Sequence, residues 1–297
     1  MTGPDHMSRI LRKYALFLMI AMSPVVQLTM TEQAHADEIM LKHGGTIETE
    51  YCWEEGETVF FKNAGGIVGI NKASIERIVK TDYLTKGYTL AHSGEYRRAL
   101  EAYDKAIKQN PNGALGYTGR GSCYAQLGNY DLALADFDKG IRIDPSEWRA
   151  YANRALVYCS LRAFDSALQD YDKALQLNPH FVDGYANRGW ICRNYLKDSD
   201  RAIIDFTRSI QLDPTYSLVY FHRACAHLDV RQYSKAAEDL TTALKTNPQF
   251  GEAYMLRGFV YEEYLNNPQQ AEQDFKVGKS LVKQQAADSK GMPFRRW

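Results

Sequence analysis

The sequence predicts a mainly α fold, a superhelix of paired helices behind a small β-rich module. Three observations carry this. Five prolines, Pro111, Pro145, Pro179, Pro214 and Pro248, stand 34, 34, 35 and 34 residues apart, each directly after Asn or Asp. A period near 34 with a proline closing each unit is the spacing of a stacked helix-turn-helix array. Small residues keep the same phase at Gly87, Gly121, Ala155, Gly189, Ala224 and Gly258, while residues 37–79 change to a period of two.

Residues 1–36 read as a secretory signal. Arg9, Arg12 and Lys13 precede an apolar stretch from Tyr14 to Met30, and Ala34-His35-Ala36 has the A-x-A form of a cleavage site. Cleavage after Ala36 would start the mature chain at Asp37 and make the protein exported, periplasmic or secreted. The alternative is an uncleaved N-terminal membrane anchor. Against it, the stretch is 17 residues long and holds Ser23, Pro24 and Gln27, which is short for about 30 Å of hydrocarbon.

In residues 37–79, Ile47, Thr49, Tyr51 and Trp53 alternate with Glu48, Glu50 and Cys52, and Val59 and Phe61 continue the rhythm. Glycine-bearing turns at Gly44-Gly45, Gly56 and Gly65-Gly66 separate the runs. Strands are expected near 39–42, 46–54, 58–62, 67–70 and 77–79. This set resembles a small SH3-like β-barrel, and the phrases 41–45 and 65–70 are similar to small β modules of exported bacterial proteins. A module of this size has little core of its own. It is expected to pack on the first repeat, as a cap or as a second binding or self-association module.

Six units follow, at 80–113, 114–147, 148–181, 182–216, 217–250 and 251–284, with a disordered tail expected at 285–297. Repeat position 4 is Tyr in all six (Tyr83, Tyr117, Tyr151, Tyr185, Tyr220, Tyr254), position 8 is Gly or Ala, and position 20 is always Ala. Position 24 is large: Tyr103, Phe137, Tyr171, Phe206, Leu240 and Phe275. Small against large lets paired helices interlock. These units resemble tetratricopeptide repeats, position by position, over about two thirds of the chain, and the resemblance implies a right-handed α-α superhelix. Repeats four and six each carry one extra residue, assigned to the exposed turn between their helices.

Position 7 is Arg120, Arg154, Arg188, Arg223 and Arg257 in repeats two to six, and position 23 is Asp136, Asp170, Asp205, Asp239 and Asp274. Repeat one has Lys86 and Ala102 there, so the two residue types come and go together. Guanidinium and carboxylate match as a planar, bidentate pair. Structural ion pairs between first and second helices are therefore expected, in preference to an anion-binding ladder of free arginines.

The resemblance implies a function. In this family first helices line a concave groove, which here would present Tyr88, Leu115, Leu156, Trp190, Phe221, Met255 and Phe259 with Arg149 and Arg193 among its polar rim. An apolar stripe with a polar rim suits a peptide or helix of a protein partner. The implied role is a non-enzymatic scaffold in an envelope-associated, secretion or pilus assembly complex. The alternative is an enzyme, or a self-association module giving a homo-oligomer, centred on the β module.

Composition excludes more than it assigns. With 36 basic and 36 acidic residues the chain has zero formal charge, and no basic stripe points to nucleic acid. Five cysteines lack C-x-x-C spacing, and His222 and His227 are five residues apart, off a shared helix face. No metal, cofactor, small-molecule substrate or catalytic constellation is implied.

Overall fold

The computed structural model describes residues 37–44, 46–49, 52–63, 66–79 and 82–290. The expected secretory signal at 1–36 and the residues 291–297 of the expected tail lie outside them. Two compact units divide within one helix, the first ending at Ala150 and the second opening at Tyr151.

The first unit begins with six strands: β1 (Asp37–Leu41), β2 (Thr46–Thr49), β3 (Cys52–Glu55), β4 (Thr58–Asn63), β5 (Gly66–Asn71) and β6 (Ile75–Val79). They pair antiparallel in two three-stranded sheets, ordered β2-β1-β6 and β3-β4-β5. Among the described residues no ladder joins the sheets, so the expected closed barrel is not formed. The run expected as one strand over 46–54 is two strands in different sheets, because alternation marks extended chain but not its pairing partner. Ile39, Cys52, Val59 and Phe61 form the buried centre.

Four helices follow: α1 (Tyr83–His92), α2 (Tyr96–Gln109), α3 (Ala114–Gln126) and α4 (Tyr130–Ile143). Asp82 caps α1, its carboxylate accepting from the Thr85 hydroxyl at 2.5 Å and from the Thr85 backbone N–H at 3.1 Å, and these bonds, the hydroxyl's foremost, hold its pKa below the usual value. The small-to-large fit is tight. A Cβ built on Gly121 would lie 2.9 Å from Cε1 of Phe137, and one on Gly87 2.8 Å from the Tyr103 ring.

α5 (Trp148–Ser160) crosses into the second unit, which continues as α6 (Phe164–Leu177), α7 (Val182–Ile191), α8 (Ser199–Leu212), α9 (Ser217–Asp229), α10 (Tyr233–Thr246), α11 (Gly251–Glu263) and α12 (Pro268–Lys290). Tyr171, Phe206 and Leu240 are fully buried at its position-24 sites. The helix α12 runs to Lys290, into the segment expected as a tail, since residues 285–290 hold neither Gly nor Pro.

The prolines act as the sequence suggests. Each residue before one, Asn110, Asp144, Asn178, Asp213 and Asn247, leaves helical geometry with φ from −130° to −138° and ψ from 85° to 96°. Their amide or carboxylate side chains have a second use. Asp144, Asn178, Asp213 and Asn247 each accept from the backbone N–H two residues on, at 2.9–3.1 Å, so Asn or Asp is needed to turn the chain.

Between paired helices the chain passes through a left-handed residue. Gly94 and Gly128 adopt it at φ +80° and +79°, but Arg162, Lys197, Arg231 and Asn266 take the same region at φ 49° to 61°. The backbone N–H after the left-handed residue then closes the turn, as in Glu95 to the Leu90 carbonyl and Gln232 to the His227 carbonyl. The extra residue of repeat four is not taken up in this turn. It widens the end of the first helix into a π turn at Cys192–Leu196, which lets the connection keep its geometry.

Candidate functional site

The five arginines at position 7 are fully engaged. Arg120 donates through Nε and Nη2 to the two carboxylate oxygens of Asp136, both at 2.8 Å, and through Nη1 to Asp104 of the preceding repeat at 2.6 Å. Arg188 does the same with Asp205 and Asp172. Arg223 and Arg257 pair with Asp239 and Asp274 and reach back to the hydroxyls of Thr207 and Thr241. Arg154 holds Asp170 through two bonds of 2.7 Å.

Each guanidinium also lies over the Tyr three residues before it, 5.6–5.7 Å from the ring centroid, for Tyr117, Tyr151, Tyr185, Tyr220 and Tyr254. The constant three-residue spacing of Tyr and Arg in repeats two to six is the sequence signal of this cation–π contact. In repeat one Lys105 covers Tyr83 instead, at 5.4 Å. Arg120, Arg188, Arg223 and Arg257 therefore join neighbouring repeats, and all five arginines are committed to carboxylates rather than open to an anion.

Within the first unit, Tyr88 on α1 is 59% exposed, its ring 3.8 Å from that of His92 one turn on. Leu115, in the first turn of α3, is 45% exposed. Leu115 borders a cleft of about 450 Å³ shared with Leu84, Gln109, Asn112, Gly113 and Ile143. Leu84 and Tyr88 are four residues apart and share a helix face. In the wall of this cleft the Gln109 amide nitrogen Nε2 is buried with no hydrogen-bond partner. A buried donor left unpaired costs about 1–3 kcal/mol. Arg149 lies 4.9 Å over the Trp148 ring and bonds to Glu147 at 3.2 Å, so it is tethered at the start of α5.

The second unit corrects part of the expected groove. Trp190 and Phe221 are 8% and 7% exposed, and neither belongs to an open aromatic stripe. Trp190 packs 6.3 Å from Phe164 in one core cluster and Phe221 5.0 Å from Phe250 in another. Bulk supplied by neighbouring helices covers positions that the repeat number alone would leave open. Leu156 is partly covered by the same core as Trp190. Arg193 is held by Asp229, which accepts from its Nε at 2.7 Å and also from the Ser199 hydroxyl at 2.9 Å. Met255 lies against Gly278 of α12, and Phe259 meets the edge of Tyr264, itself stacked 4.0 Å from Tyr233.

The titratable groups inside the helices are sequestered. Burial raises the thiols of Cys123 and Cys159 to about 12 and those of Cys192 and Cys225 to about 11. Such thiols are poor nucleophiles. Burial, with the Arg193 charge nearby, lowers the His222 imidazole to about 3. Among the described residues no group of three or more His, Cys, Asp or Glu could hold a metal ion, and no helix is long and apolar enough to cross a membrane.

Interlocked helix pairs with glycine-to-ring contacts and an inter-repeat arginine ladder define the class: an α-helical repeat protein. Family profiles described as tetratricopeptide repeat match residues 84–147, 148–181, 182–216 and 221–277. The chain belongs to the tetratricopeptide repeat family, and its fold is the solenoid of that family. A 63-residue stretch is 33% identical to Small glutamine-rich tetratricopeptide repeat-containing protein 2 of Saccharomyces cerevisiae, covering 21% of this chain and 18% of that one. A 68-residue stretch is 32% identical to human Tetratricopeptide repeat protein 28, covering 23% and 3%. The chain thus spans less than a fifth of these curated relatives.

Among solved structures, YrrB, described as a tetratricopeptide repeat protein with an unusual peptide-binding site, aligns at TM-score 0.55 and 20% identity over 65% of this chain and 100% of that one. PilF of Pseudomonas aeruginosa aligns at 0.59 and 18% identity over 71% and 91%. MamA aligns at 0.53 and 19% identity over 62% and 98%. At these identities the likeness establishes the fold.

Proposed function

We propose that this protein is an exported, non-enzymatic scaffold that holds a peptide or helix of a partner protein against the first helices of its repeats. The family fold supports a protein–protein interaction scaffold. The observation that carries the finer reading is the cleft beside Leu115, where Leu84 and Ile143 supply apolar wall and Asn110 and Asn112 bring amide groups to the rim. A peptide backbone offers the carbonyl, and its side chains the apolar contact. Tyr88 extends the same face with an exposed ring. That burial shuts away the thiols and His222 favours a binding role over catalysis.

Placement in an envelope-associated assembly of secretion or pilus type rests on the secretory reading of residues 1–36. Sequencing the N-terminus of the protein recovered from the cell envelope or medium tests it: Asp37 as first residue supports export, and a chain retained in the cytoplasm with residues 1–36 intact refutes it. For binding, the wild type and the Tyr88→Ala/Leu115→Ala variant are chemically crosslinked in cells and purified. The reading requires a partner that the variant loses. A partner held equally by both sinks the groove assignment.

A further inference from the structure

We propose that strand β5 is a self-association edge, pairing antiparallel with β5 of a second copy of this chain to join two β3-β4-β5 sheets into one. Each sheet ends in two edge strands, β2 and β6 in one and β3 and β5 in the other. Edge strands expose unpaired backbone groups, and proteins commonly guard them with charge. Here β2 carries Glu48, β3 carries Glu54 and Glu55, and β6 carries Glu76 and Arg77. β5 reads Gly-Ile-Val-Gly-Ile-Asn and has no charge at all. Ile67 is 67% exposed and Val68 36%, and among the described residues β5 pairs only with β4.

The occupant follows from symmetry and shape. A copy of β2 or β3 laid against itself would bring carboxylates together, whereas β5 meets its own copy without repulsion. A two-fold axis normal to the sheet keeps the two outer faces continuous, and with that axis at Val68 the residue faces Val68 of the second copy and Ile67 faces Gly69. The register already places Phe60 beside Gly69, and a Cβ on Gly69 would sit 2.9 Å from both the Phe60 ring and the Thr58 methyl. Gly69 therefore accepts bulk from its neighbours, from Phe60 on one side and from Ile67 of the second copy on the other. Paired copies carry two sets of repeats, so a partner with two sites is held more tightly than by either set alone.

The test uses the full 297-residue chain. Sedimentation of the wild type should show a dimer, and Ile67→Lys, which adds charge at an exposed position, should weaken dimerisation at least tenfold with an unchanged circular dichroism spectrum. Hydrogen exchange on the wild type is independent of how that variant folds. Amides of residues 66–71 should gain protection as protein concentration rises. A monomer at every concentration, exchange at 66–71 insensitive to concentration, or a folded Ile67→Lys that dimerises as the wild type does would each overturn the proposal.

Discussion

Arg120 and Asp136, sixteen residues apart, meet through two parallel hydrogen bonds of 2.8 Å, with the carboxylate almost wholly buried. The third donor of the same guanidinium crosses to Asp104 in the preceding repeat, and Tyr117 lies beneath it. One side chain thus closes its own helix pair and ties that pair to the one before. The same contact recurs at Arg188, Arg223 and Arg257, and within each unit it ties weakly self-sufficient repeats to their neighbours.

Removing one partner should be costly because it strands a buried charge. Arg120→Met, which leaves the buried Asp136 carboxylate without its arginine, is expected to lower unfolding free energy by about 3 kcal/mol, read by urea denaturation. Replacing both members with apolar residues, as Arg120→Met/Asp136→Leu, should recover most of that loss. A single variant as stable as the wild type would show the pair to be incidental.

The interlock at position 8 is steric. Gly121→Val should cost about 1–3 kcal/mol through overpacking against Phe137. Combining it with Phe137→Leu should be less harmful than the two losses added together. Strict additivity in thermal denaturation would contradict the contact.

The left-handed turn residues predict a gain. Arg231→Gly relieves a backbone conformation that disfavours side chains and should raise stability by up to about 1 kcal/mol. The mirror change, Gly128→Ala, should lower it by about the same amount. Opposite signs would place the turn energy elsewhere.

His222 makes stability fall in acid. Its folded pKa of about 3 lies below the ordinary 6.5, so the unfolded chain binds the proton first. The stabilisation is full above pH 6.5 and is lost as pH drops towards 3, by up to about 1.4 kcal/mol per pH unit. Burial of His227 acts in the same direction. His222→Asn, with the residue that Asn153 and Asn187 show at this repeat position, should flatten the decline between pH 6.5 and 5, measured by chemical denaturation.

The sequence discloses what is written many times over. Prolines after Asn or Asp, Gly opposite a ring, and Arg tracking Asp all recur at fixed offsets, so local chemistry and the repeat period point the same way. Features set by one neighbour or by pairing choice are not written like this. The depth of Trp190 depends on Phe164, and that of Phe221 on Phe250. An extra residue in repeat four can be counted, yet its uptake as a π turn depends on how α7 and α8 pack. Alternation finds β2 and β3 as extended chain but not their separation into two sheets. The unpartnered Gln109 amide arises where two repeats meet, and no motif announces it.

Site-specific photocrosslinking in living cells tests the central claim most directly. A benzophenone side chain placed at position 88, where Tyr88 is 59% exposed, should trap one discrete protein adduct. The same group at Ile204, 68% exposed on α8, is the control and should not trap it. Identical adducts from both positions, or none from position 88, would contradict a partner held on the first helices.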